Sequence, residues 1–280
     1  MSRKTFLKLL SLALSGLALP LQASKALKRA PAFFVGHGSP INAILDNAFT
    51  QSLYSVGQSI EKPKAILMIS AHWAPPFYGV TVHESSELIY DFFGFPDALD
   101  EIKYPAANAA FLTDDIKSLF KDIKVKDRGL DHGAWSVLLH LFPDADVPVM
   151  QFGIHKDLTL QEHYNQAKKL KVLRDAGVMI IGSGNVTHNL SQTSRDKEAA
   201  VVDWAEDFDS FVQDSIEKRD FQALVNFDKA NFHAKMAHPT LEHYIPLLYV
   251  AAVSDKEDKS SFPYEAIEHG TLSMRNWLLT

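Results

Sequence analysis

Four short apolar runs constrain this chain more than any other feature: Ala32 to Val35, Ala65 to Ser70, Val147 to Ile154 and Val178 to Ser183. Each is rich in β-branched residues, too short for a buried helix, and apolar at successive rather than alternate positions. Such a run must be covered on both faces, which is the situation of a strand inside a parallel sheet. The segments between them carry helical period, at Ala106 to Phe120, Ser136 to Leu141, Leu160 to Ala176, Ala199 to Lys218 and His243 to Ala252. The alternation predicts the α/β class, with a mainly parallel or mixed central sheet flanked by helices. No repeat, low-complexity tract or long Pro/Gly/Ser linker divides the chain, so residues 30–280 read as one domain. The charged stretch Ser254 to Ser261 reads as a solvated loop before a final strand.

The first 26 residues belong to a different grammar. Arg3, Lys4 and Lys8 precede an apolar stretch, Leu9 to Leu21, that is too short to span a bilayer, and Leu21-Gln22-Ala23 offers a small-residue cleavage site. An export signal is expected over residues 1–26, with a periplasmic location; an uncleaved anchor or a cytoplasmic location is the alternative. Ser2-Arg3-Lys4-Thr5-Phe6-Leu7-Lys8 resembles a twin-arginine signal with Lys in place of the second Arg. No later window is long enough to span a membrane, so the mature protein is expected to have no membrane span.

Cysteine is absent, which removes disulfides, thiolate nucleophiles and sulfur ligands. Any metal must be held by His, Asp or Glu, and 12 histidines are available. The formal charge of −6, with 28 basic and 34 acidic residues spread along the chain, offers no basic patch for a phosphate backbone. Nucleic acid is therefore not an expected partner.

In open α/β sheets ligands bind where strands end. Three of the apolar runs lead there into histidine: Gly36-His37-Gly38-Ser39-Pro40, Ser70-Ala71-His72-Trp73 and Gly182-Ser183-Gly184-Asn185-Val186-Thr187-His188-Asn189. Singly, each fits a turn histidine bonded to a local carbonyl. Three at equivalent strand ends fit a metal, since neutral imidazole is the commonest transition-metal ligand. Near the C-terminus, Thr240 is placed to cap the following helix with His243 at its third position, which lets Glu242 or His243 point from the helix start into the same site. His238, before Pro239, reads as a loop residue. In Asp131-His132-Gly133-Ala134-Trp135, His132 suits an acid/base residue beside a carboxylate, while the plainer reading has Asp131 capping a helix and His132 covering its first turn. No Gly-Lys-Ser/Thr, Gly-x-Ser-x-Gly or His-Glu-x-x-His motif occurs, so the P-loop, the serine-hydrolase elbow and the zincin helix are excluded. A metal with acid/base histidines remains.

These motifs, together with Tyr90-Asp91-Phe92-Phe93-Gly94-Phe95-Pro96 and Glu242-His243-Tyr244, resemble in identity and order the DOPA 4,5-dioxygenase branch of the class III extradiol ring-cleavage dioxygenases. The resemblance covers residues 31–280. It implies a single α/β domain, one mononuclear Fe(II) or Zn(II) site, and a catechol such as DOPA opened with O2 to a muconic semialdehyde. It also implies His37 and His72 as metal ligands, His188 at the metal or beside it as an acid/base, the Glu242–His243 pair at the remaining position, and His132 assisting proton transfer. A zinc-type ligand set would be His37, His72, His188 and His243. Tyr90, Phe92, Phe93, Phe95 and Trp73 are expected either to wall the substrate ring or to pack in the core. The alternatives are a zinc hydrolase using the same histidines and a non-enzymatic binding protein on the same fold.

Overall fold

Every one of the four apolar runs forms a strand. A computed structural model describes residues 29–82 and 87–280, and the expected export segment lies outside them. The main sheet contains β1 (Ala32–Gly36), β2 (Ala65–Ser70), β5 (Val149–Gln151), β6 (Val178–Gly184), β7 (Ser260–Ser261) and β10 (Asn276–Leu279), in the order β5-β2-β6-β1-β10-β7. β5, β2, β6 and β1 run parallel, and β10 extends the far side antiparallel to β1, with β7 outside it. Two small sheets accompany it: β3 (Gly79–Val82) beside β4 (Lys124–Asp127), and β8 (Ile267–Glu268) beside β9 (Leu272–Ser273).

Alternation along the strands divides the core in two, because successive side chains leave a strand on opposite faces. Ala32, Phe34, Leu67, Ile69 and Ile180 enter one layer with helices Leu160–Ala167, Asp203–Glu217 and Ile245–Val253. Phe33, Val35, Ile66, Met68 and Ile181 enter the other with helices Ala48–Ser59 and His132–Leu141. Helix Ile245–Val253 is buried at every position, as an all-apolar helix must be. No helix among the described residues is long and apolar enough to cross a membrane.

Several boundaries differ from the sequence expectation. Residues 106–109 are not helical: Ala109 N–H donates to Val149 O and Val149 N–H to Ala107 O, covering the free edge of β5, and the helix runs only over Thr113–Leu119. The run at 147–154 is a strand only at Val149–Gln151, and the pattern at 160–176 is broken by a 3-10 turn at Lys168–Leu170. The final helix begins at Ile245 rather than His243; Thr240 does not cap it but donates its hydroxyl to Glu242 Oε1 at 2.7 Å. Helix Ala48–Ser59, opened by an Asn47–Thr50 capping box, has no counterpart in the sequence expectation.

Strand register levels one edge of the sheet. Gly36 of β1 pairs with Gly184 of β6, and Ser70 of β2 pairs with Ser183, so the carboxyl ends of three parallel strands finish side by side.

Candidate metal centre

At the end of β1 the chain turns at Gly38, whose φ of +63° is a conformation that side chains disfavour. The turn leaves His37 buried, its N–H donating to Gly184 O at 2.9 Å. His37 Nδ1 lies 2.9 Å from Ser183 Oγ. That hydroxyl spends its only proton on Gly133 O, at 2.5 Å, so it can only accept from the imidazole. His37 therefore carries its proton on Nδ1 and directs the Nε2 lone pair away from Ser183.

His72, two residues beyond β2, brings its Nε2 to 3.2 Å from His37 Nε2. Its Nδ1 faces Asp91 Oδ2 at 3.3 Å, while Asp91 Oδ1 accepts from His132 Nδ1 at 2.9 Å and from the His132 backbone N–H at 3.0 Å. His132 is the first residue of helix His132–Leu141 rather than a residue of the loop before it, because Asp131 caps that helix by accepting from Ala134 N–H. Asp131 is thus the helix cap, and His132 turns its ring toward His72, with centroids 3.9 Å apart. The fully buried Asp131 also accepts from Ser70 Oγ, Gln151 Nε2 and Arg128 Nη1, which ties the end of β2 to the start of the helix. Gly133 permits this approach: a Cβ there would lie 2.6 Å from Ser70 Oγ and 2.8 Å from His72 Cδ2.

His188 and His243 stack flat, with centroids 3.5 Å apart and planes 6° from parallel. Glu242 Oε1 lies 3.4 Å from His243 Nδ1. The His243 ring is 5.3 Å from that of His37 and 5.1 Å from that of His72. Five imidazoles thus cluster at the sheet edge. By nitrogen and oxygen positions they form two adjoining groups, His37 with His72 and His132, and His188 with Glu242 and His243, each with its ligand atoms within 4.8 Å of one another. His238 stands apart, buried against Phe208, Phe227 and Tyr244 with its Nε2 on Val186 O at 2.7 Å, as a loop histidine that pins the turn before His188.

Electrostatics favour an ion here. Burial, reinforced by neighbouring imidazoles, pushes His37 and His243 well below the ordinary histidine range. Burial likewise brings His188 down to about 4. These rings are neutral at neutral pH, the form that binds metal. Burial works against ionising Asp91, yet hydrogen bonds from His132 and His72 hold its carboxyl far below the usual range, so it is an acceptor only. With the Nδ1 protons of His37 and His72 committed elsewhere, two lone pairs face each other across 3.2 Å. That contact is repulsive until a cation sits against both, and a mononuclear transition-metal ion suits the donor set.

Of the aromatic candidates, Phe92 meets His132 edge-on with centroids 5.6 Å apart and Phe95 packs behind it. Tyr90 packs on Trp135 and bonds Ile102 O, Phe93 projects almost fully into solvent, and Trp73 packs beneath Arg128. Sequence reasoning named no role for Asp91 or Ser183. Asp91 lies within the Tyr90-to-Pro96 motif; Ser183 carries no signal beyond its place at a strand end.

The family described as the catalytic LigB subunit of aromatic ring-opening dioxygenase matches residues 31–276. A 4,5-DOPA dioxygenase extradiol of Escherichia coli (strain K12) is 38% identical over 253 residues, 88% of this chain and 93% of that protein. The protein of the same name from Beta vulgaris is 35% identical over 89% of this chain and 96% of its own. Among solved structures, an uncharacterized protein of Escherichia coli K12 superposes with a TM-score of 0.78 at 33% identity, covering 90% of this chain and all of the other.

Proposed function

Because this chain belongs to the family of the catalytic LigB subunit of aromatic ring-opening dioxygenases, we propose that it opens the ring of a small catechol, such as DOPA, beside the diol. It is a dioxygenase, and its clustered imidazoles fit the single metal ion that enzymes of this family use. The extradiol position and the catechol substrate are supported by the names of the relatives, 4,5-DOPA dioxygenase extradiol, at 31–38% identity over most of the chain. The observation that carries the reading is the convergence of imidazoles, of which His37, His72 and His132 turn Nδ1 toward outer partners and leave their Nε2 lone pairs facing inward.

We assign His37 and His72 as ligands through Nε2, with His243 completing the set and His188 stacked against it. Glu242, engaged by Thr240 and His243, orients His243. A redox-active ion, here taken as Fe(II), supplies the electron exchange with O2 that d10 Zn(II) does not provide. No external reductant is needed: catechol and O2 combine so that one ring carbon–carbon bond breaks and both oxygen atoms remain in the product, as a carboxylate and an aldehyde. His132, with its Nδ1 proton held by Asp91, takes the substrate hydroxyl proton at Nε2 and returns it during ring opening. Phe92 covers His132 on one side, its ring meeting the imidazole edge-on. Residues 1–26, with a basic start and a short apolar run, support export of the enzyme.

The test is oxygen uptake by the anaerobically Fe(II)-loaded protein on adding L-DOPA or catechol, with the growth of a yellow absorbance. Uptake and colour that disappear in His37→Ala establish the reading. Failure across a panel of catechols by protein that retains Zn(II) moves the assignment to a zinc hydrolase.

A further inference from the structure

Asp91 sits at an unusual junction. It comes from a segment without regular structure, yet that segment is pinned immediately before it: Ile89 N–H donates to Leu130 O at 2.8 Å, Trp135 Nε1 donates to Ile89 O at 3.1 Å, and Tyr90 Oη donates to Ile102 O at 2.7 Å. One carboxylate thereby reaches two imidazoles with different duties, its Oδ2 facing His72 Nδ1 and its Oδ1 facing His132 Nδ1 and backbone N–H. Among the described residues no other acceptor stands within hydrogen-bond distance of either Nδ1. The one His72 contact at the opposite nitrogen is Nε2 against His37 Nε2.

We propose that Asp91 is a positioning residue that sets the tautomer of His72 and His132 together, so that one carboxylate prepares a metal ligand and the proton-moving histidine at the same time. The inference rests on the assignment of the metal centre. Its logic is a count of donors and acceptors. A carboxylate has no proton to give, so both Nδ1 atoms must bear one, and both Nε2 atoms are left as lone pairs. An amide at the same position has one acceptor and one donor. In Asp91→Asn the amide oxygen belongs on the His132 side, where two N–H groups point. The NH2 then confronts His72 Nδ1, and His72 must move its proton to Nε2, the atom needed by the metal.

The experiment uses the full chain with 15N-labelled histidine, read by long-range 1H–15N correlation in the metal-free protein, together with Zn(II) affinity measured by chelator competition. Wild type is expected to show Nδ1–H tautomers at both His72 and His132. Asp91→Asn is expected to convert His72 to Nε2–H and to weaken Zn(II) binding about 10–100-fold, the usual cost of losing an outer partner. The thermal midpoint of the metal-free variant should stay near that of wild type, which separates positioning from folding.

An Nε2–H tautomer at His72 or His132 in wild type overturns the proposal, and that spectrum decides even where the variant fails to fold. Unchanged tautomers with unchanged affinity in Asp91→Asn also overturn it. His37→Ala distinguishes the two levels. If it too retains full Zn(II) affinity, the metal centre itself is wrongly placed; if it loses the ion while Asp91→Asn binds normally, only the role of Asp91 is wrong.

Discussion

Ser183 shows how much one hydroxyl decides. It is buried, gives its proton to Gly133 O and leaves itself as the acceptor for His37 Nδ1, so a strand residue with no chemistry of its own dictates which nitrogen of His37 meets the ion. Ser183→Ala frees that ring to rotate or change tautomer. Metal affinity is expected to fall about 10–100-fold, while stability falls by only about 1 kcal/mol for the lost hydrogen bond. Chelator competition and urea unfolding measure the two quantities separately; unchanged affinity would show that His37 needs no outer partner. The sequence marked His37 through its glycines and its place after an apolar run. It could not mark Ser183 as its partner, because the pair is separated by 146 residues and meets only through the pairing of β1 with β6.

At the scale of elements, helix Leu160–Ala167 packs on the buried helix Ile245–Val253, and His163 lies in that seam. Its Nδ1 is 3.3 Å from Tyr249 Oη and its Nε2 is without a partner, so protonation places an uncompensated charge in an apolar contact. Burial, reinforced by nearby His155, brings its pKa down from 6.5 to about 4. The folded value is the depressed one, so the stabilisation is fully present above pH 6.5 and is lost as pH falls toward 4. A shift of this size corresponds to roughly 3 kcal/mol over that window. In chelated protein, the fall in unfolding free energy from pH 6.5 to 4 should be smaller by about that amount in His163→Phe than in wild type. Parallel pH profiles for the two proteins would locate the acid sensitivity elsewhere.

For the whole molecule, the assigned ligands come from the loops after β1 and β2 and from the segment before helix Ile245–Val253, with His188 from the loop after β6 stacked beside them, parts of the chain that only the folded sheet brings together. An ion bound there stabilises the folded state alone. At free metal about 100 times Kd the linkage is about 2.7 kcal/mol, or roughly 5–10 °C in thermal midpoint for a domain of this size. Differential scanning with and without a chelator measures it, and an unchanged midpoint would contradict an ion shared by these segments. Local pattern was enough to determine the α/β class, the four buried parallel strands, the histidines at three strand ends and Asp131 as a helix cap, because periodicity, turn glycines and capping act over a few residues. Tertiary structure alone decided that residues 106–109 cover the edge of β5, that β10 extends the sheet beside β1, and that Ser183 and Asp91 orient the imidazoles. Those outcomes depend on donors and acceptors distant in sequence, whose meeting is set by how the layers pack.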